Sequence, residues 1–144
     1  MIFLDANVFL RFLTAPTDAA TARAQEQATQ LFEQVRTRQV EATTTELVLH
    51  EVLFVLTSRR QYGVPYVDAI QALRPLIHFR SLRFGSGEKD IILRALDICE
   101  QNPRLEFADS AIAARCEANG WELATFDESL AAVPSVTRWQ PDPG

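Results

Sequence analysis

The chain predicts an α/β fold in a single domain, with a mostly parallel central sheet flanked by helices on both faces. Three observations predict it. Short apolar or β-branched runs alternate with helix-length amphipathic segments from end to end, the pattern of strands joined by crossover helices. The 144 residues match the common size of one domain, and 47% hydrophobic residues supply a core without metal or disulfide staples, which excludes intrinsic disorder. No internal repeat interrupts the alternation. The domain is expected over residues 1–139, with 140–144 as a short C-terminal tail.

Each element has a local reason. Ile2, Phe3 and Leu4 form an apolar run that stops at Asp5, which reads as a short buried central strand whose carboxyl end meets solvent or a ligand. After Pro16, Asp18 is placed to cap a helix to about Arg36, with Ala24, Ala28, Leu31 and Val35 along one side. Residues 40–43 read as a second strand. Residues 45–60 are too long and too apolar for a typical strand, and Gly63 follows them, so they predict a mostly buried helix. Pro65 suits the first turn of another helix, which Pro75 should end or kink, and 81–84 is a strand before Gly85 and Gly87. An amphipathic helix over 88–100 is broken by Asn102-Pro103. A further helix over 109–119 is closed by Gly120, and strands follow at 121–126 and 136–139.

Composition narrows the function classes. Nineteen acidic against fourteen basic residues give a net charge of -5, which argues against holding nucleic acid by an overall positive field and leaves room for a local basic patch. Lys89 is the only lysine; an arginine excess suits bidentate phosphate contacts and equally follows from coding bias. Cys99 and Cys116, with sixteen residues between them, lie on apolar helical patterns with no CxxC pair, so they read as buried reduced thiols. The N-terminal segment lacks a basic leader region, and no uncharged stretch reaches ten residues. A soluble, cytoplasmic protein with no membrane association is therefore expected.

Four carboxylates stand where apolar residues would be ordinary. Asp5 and Asp127 end predicted strands, where ligand sites of parallel sheets lie, although a turn former or helix cap fits either one alone. Glu51 lies in a stretch from Leu47 to Leu56 in which eight of ten residues are apolar, so it is expected to be semi-buried; the competing reading is a solvent-facing stripe of Thr44, Glu51 and Ser58. Glu46, a turn earlier, suits the helix dipole. Asp109, between Phe107-Ala108 and Ser-Ala-Ile-Ala-Ala, is either an N-cap or a site residue. Converging carboxylates repel one another and call for a divalent cation, and an oxygen-only set suits Mg²⁺ or Mn²⁺ over Zn²⁺.

The run Ile-Phe-Leu-Asp5-Ala-Asn7-Val-Phe-Leu-Arg11 resembles the first motif of the PIN-domain nucleases, and among them of the VapC-type toxins of type II toxin–antitoxin pairs. Thr45-Glu46-Leu-Val-Leu-His-Glu51 resembles their second motif and puts the family's Glu on Glu51. Phe107-Ala-Asp109-Ser-Ala-Ile resembles the third, and Ala124-Thr125-Phe-Asp127-Glu-Ser-Leu the fourth. Ala6 departs from the Thr that many members carry. The resemblance implies a metal-dependent endoribonuclease in which metal-activated water attacks phosphorus in line, with Asp5, Glu51, Asp109 and Asp127 catalytic and Asp5, Asp109 and Asp127 holding Mg²⁺, or Mn²⁺ in its place. It implies Asn7 and Thr125 as supporting polar residues, a cognate antitoxin, and homodimerisation. Arg11, Arg59 and Arg60 are the candidate RNA contacts; the last two equally suit a helix C-terminus. His50 reads as a core or supporting residue, and Trp121 and Trp139 as sheet or core aromatics. Two other readings remain: a catalytically inactive PIN-like RNA-binding or scaffold module, and an aspartyl-phosphate-type phosphohydrolase. The latter would need a second acid where Asn7 stands.

Overall fold

The computed structural model describes every residue except Asp142 and Gly144, so the tail expected at 140–144 lies partly outside the described residues. The fold is mixed α/β, with parallel strands and seven helices among the described residues. β1 (Ile2–Phe3) leads into α1 (Ala6–Leu13) and α2 (Ala19–Arg36); β2 (Ala42–Thr43) leads into α3 (Glu46–Thr57), α4 (Tyr66–Ile77) and β3 (Leu82–Arg83). Then follow α5 (Glu88–Gln101), α6 (Phe107–Asn119), β4 (Glu122–Leu123), α7 (Glu128–Ala131) and β5 (Thr137–Arg138). The chain gathers into two compact units that divide between Ser86 and Gly87.

In the first unit the strands pair in parallel in the order β1-β2-β3, with Ile2 opposite Ala42 and Ala42 opposite Leu82. The middle strand is therefore β2, and the expectation of β1 as a buried central strand is corrected. Phe3 is 55% exposed, and only Leu4, just past the strand, is fully buried. An apolar run reports a preference to leave water; which side of a sheet a strand takes depends on its crossovers. The strands are also shorter than the sequence runs, two residues each, because pairing and not hydropathy sets their ends.

Helix starts follow the expected chemistry. Asp18 caps α2 in a reciprocal box with Thr21, whose N–H donates to Asp18 Oδ1 at 2.8 Å. The Thr45 hydroxyl caps α3. Pro75 neither ends nor breaks α4; it sits in the last turn, and the chain leaves the helix at Ile77. α1 and α2 are fastened by Phe32, whose ring meets Phe9 edge-on at 5.3 Å and Phe12 at 4.6 Å. α3 buries Leu49, Val52, Leu53 and Leu56, a ridge at i, i+3, i+4 and i+7, and packs with α1 and α4.

In the second unit α5 and α6 form the main helix pair, with Ala111, Ala113 and Ala114 of α6 buried. Arg94 to Glu117 at 3.0 Å and Arg115 to Glu88 at 2.8 Å tie the two helices at their rims. Cys99 and Cys116 are buried thiols that form no disulfide, as the sequence reading expects, and Cys99 Sγ donates to Leu96 O at 3.4 Å. Gly120 ends α6 at φ +66°, a left-handed conformation that a side chain would strain. β4 and β5 pair in parallel, joined through α7, which the sequence reading did not identify. Among the described residues, no helix is long and apolar enough to cross a membrane.

Candidate functional site

Each unit carries two of the four acids. In the first, Asp5 follows β1 by two residues and caps α1, its Oδ1 accepting from the Ala6 N–H at 2.7 Å. The ordinary capping role is thus real, yet it engages one carboxylate oxygen, and the side chain is exposed. The approach to Asp5 is fixed from below. The Leu4 N–H donates to Thr43 O at 2.8 Å, and the buried Thr44 hydroxyl donates to Leu4 O at 2.8 Å. Sequence reading did not find this role for Thr44, because nothing in a Thr-Thr-Thr run says which hydroxyl turns inward.

Glu51 is exposed, which overturns the expected semi-burial. The physical reason is helical phase. α3 buries the 49-52-53-56 ridge, so 47, 51 and 54 fall on the opposite side. Leu47 is 82% exposed and Phe54 58%. The solvent-facing stripe therefore runs through Leu47, Glu51 and Phe54, not through Thr44. Glu46 occupies the first turn of α3, as expected.

In the second unit Asp109 is the third residue of α6, because the helix starts at Phe107 with Glu106 at the cap position. N-capping consequently does not account for Asp109, although its first-turn position suits the helix dipole. The side chain is half-buried, next to the fully buried Ser110. Asp127 lies four residues beyond the end of β4, so it does not end that strand directly. It caps α7, with Oδ1 accepting from Ser129 N at 2.9 Å and Leu130 N at 3.2 Å, and its own N–H donates to the Thr125 hydroxyl at 3.0 Å. Arg138 braces this loop from β5 by donating to Thr125 O at 2.8 Å and to the Glu128 carboxylate at 3.0 Å. No sequence motif marks Arg138 for that role.

The supporting and basic residues divide similarly. Asn7 is exposed on the first turn of α1, and Arg11 is half-buried in its last turn. The Asp18 carboxyl is held below its usual range by the backbone and hydroxyl of Thr21, with Arg11 adding a smaller favourable field. Arg59 and Arg60 directly follow the Ser58 C-cap of α3 in an exposed turn, a place that suits a helix C-terminus as well as an RNA contact. His50 is half-buried and His78 is exposed at the end of α4. Trp121 and Trp139 flank β4 and β5, the Trp139 N–H donating to Leu123 O at 2.9 Å, and at 56% and 49% exposure they are sheet aromatics and not core ones.

The donor chemistry fits a hard divalent cation. All four side chains offer anionic oxygens, none is in an ion pair among the described residues, and Asp5 and Asp127 each use only Oδ1 in hydrogen bonds. Within one unit the set is incomplete: two acids belong to each, and no three His, Cys, Asp or Glu side chains among the described residues gather closely enough to hold an ion.

Compared with known families, the chain matches the model of the PIN domain over residues 2–136, a span that includes all four acids and both supporting polar residues. No curated protein matches it.

Proposed function

The chain belongs to the PIN-domain family, whose members are generally nucleases that use a divalent metal, and from that premise we propose that it is a metal-dependent endoribonuclease. The observation that carries the reading is the set Asp5, Glu51, Asp109 and Asp127, all inside the matched span and none neutralised by a protein cation. Brought together in a chain of net charge -5, these acids would repel one another, and a bound divalent ion would offset that repulsion. Asp5, Asp109 and Asp127 would hold Mg²⁺, or Mn²⁺ in its place, and Glu51 would orient the attacking water. The ion's contribution when bound is to acidify water and to neutralise charge developing on the phosphate.

The chain's own residues do the rest. Thr44 and Thr43 fix the backbone ahead of Asp5, so its carboxylate is presented with one oxygen tied and one available. Thr125 and Arg138 do the same for Asp127. Arg59 and Arg60 offer exposed cations to the RNA backbone. In this reading the protein is the cytoplasmic toxin of a toxin–antitoxin pair, restrained by a cognate antitoxin and active as a homodimer. The exposed Leu47 and Phe54 of α3 are compatible with such a partner.

The test is cleavage of total cellular RNA by purified protein with Mg²⁺ or Mn²⁺, against chelator and against Asp5→Asn prepared identically. Discrete metal-dependent products from the wild type alone support the proposal. A folded protein that neither binds Mn²⁺ nor cleaves RNA refutes it in favour of a scaffold module.

A further inference from the structure

Between α1 and α2 the first unit leaves a cleft of about 350 Å³. Asn7 and Arg11 of α1 form one wall; Ala24, Gln27, Ala28 and Leu31 of α2 form the other. The α2 residues fall at i, i+3, i+4 and i+7, one stripe of the helix, and the hollow exists because two of them are alanines. Its walls are fixed. Phe9 and Phe12 clamp Phe32, and Gln25 Nε2 donates to Thr14 O at 2.8 Å across the α1–α2 connection.

The lining has the chemistry of one nucleotide. Asn7 and Gln27 are exposed amides, each with donors and an acceptor, which suits the hydrogen-bonding edge of an unpaired base. Leu31 and the alanine methyls supply an apolar surface for a ring face, and Arg11 supplies a cation for a phosphate. The volume lies at the small end of ligand sites, roughly 300–1,000 Å³, which suits a single nucleotide-sized group better than a partner helix about 10 Å across. Three other clefts each carry a carboxylate: one has Glu26 and Glu33 beside Arg23, one has Glu128 beside Arg104, and one has Glu122; this cleft carries Arg11 and no acid.

We propose that the α1–α2 cleft is a base-selecting subsite that takes one unpaired nucleotide of the RNA, Arg11 meeting its phosphate and Asn7 and Gln27 reading its base. The cleft opens two residues along the chain from Asp5, so it would select the sequence beside the cut. Its assignment to RNA rests on the nuclease reading, but its binding chemistry does not require metal.

The full chain is titrated calorimetrically in chelator with each of the four ribonucleoside 5′-monophosphates and with inorganic phosphate. The expected result is saturable binding that differs between bases, exceeds that of phosphate, and weakens about tenfold in Gln27→Ala, with Arg23→Gln on the outer side of α2 unchanged. Gln27 is exposed, so the variant should fold, which a thermal melt checks. Equal binding of phosphate and every nucleotide, no binding at all, or an unaffected Gln27→Ala overturns the subsite. Capture of a peptide helix at this cleft with no nucleotide binding overturns it too. Metal-dependent RNA cleavage by a protein that binds no nucleotide refutes the subsite alone; nucleotide binding lost in Gln27→Ala, in a protein that cleaves no RNA, refutes the nuclease reading alone.

Discussion

α3 and α6 each carry one of the four acids on a helix, one in each unit, and they present it in opposite ways. α3 is the more apolar segment, yet Glu51 lies on its exposed side among Leu47 and Phe54. α6 is an alanine-rich helix of mixed polarity, yet Asp109 is half-buried in its first turn, one residue before Ser110, which is fully buried. The average hydropathy of a helix therefore says little about the burial of one position on it. Phase around the axis decides, and phase is set by which ridge the neighbours cover. Where α3 turns its ridge of Leu49, Val52, Leu53 and Leu56 inward, the acid two residues from Leu49 has only the outside left.

The contrast can be broken by measurement. The largest effect belongs to Asp109→Asn, which should lower metal-dependent RNA cleavage by more than about 100-fold while moving the melting temperature little, because the residue caps nothing. A large loss of stability with cleavage retained would make Asp109 structural. Next, Leu49→Ala should cost about 2–5 kcal/mol in denaturant unfolding, since Leu49 is fully buried, whereas Leu47→Ala on the opposite side should stay within about 0.5 kcal/mol. Equal costs would show that the two faces of α3 are not distinguished in solution.

Smaller effects sharpen the comparison of caps. Asp127→Ala removes the single oxygen that accepts from two N–H groups at the start of α7 and should cost about 1 kcal/mol, whereas Asp127→Asn, which keeps an acceptor, should recover most of that while still lowering cleavage. The smallest expected effect is a pH dependence at the rim of α5 and α6. The Arg115 guanidinium, mainly through its hydrogen bonds, holds the Glu88 carboxyl below its ordinary 4.5. The pair's stabilisation is present above about pH 4.5 and fades as the pH falls through the lowered value. At these half-exposed side chains it amounts to no more than about 1 kcal/mol. Arg115→Met should flatten the acid limb of a stability–pH curve in that window and leave neutral stability within the same margin.

Much of this was legible in the sequence because its signals are local. The Asp18 cap, the helix over 88–100, the break at Asn102-Pro103 and the Gly120 stop depend on residues within a turn of one another, and all are present. The alternation of short apolar runs with helical segments likewise implied parallel pairing, which the two sheets bear out. The four motifs around Asp5, Glu51, Asp109 and Asp127 sufficed to suggest the family, and the family match spans them.

What tertiary structure decided was everything that depends on a distant partner. Strand order put β2 in the middle and left Ile2 and Phe3 exposed at the edge of their sheet, because position in a sheet follows from crossover packing rather than from a strand's own hydropathy. Glu51 turned outward and Thr44 inward for the same reason: a side chain's surroundings are set by what packs on the next face. Thr44 reaches Leu4 across forty residues, and Arg138 reaches Thr125 across thirteen. The sequence by itself determined where helices start and stop and which acids the chain carries. Only the fold decided which of their oxygens are tied to backbone amides and which are free for a ligand, since those bonds depend on where each helix begins in three dimensions.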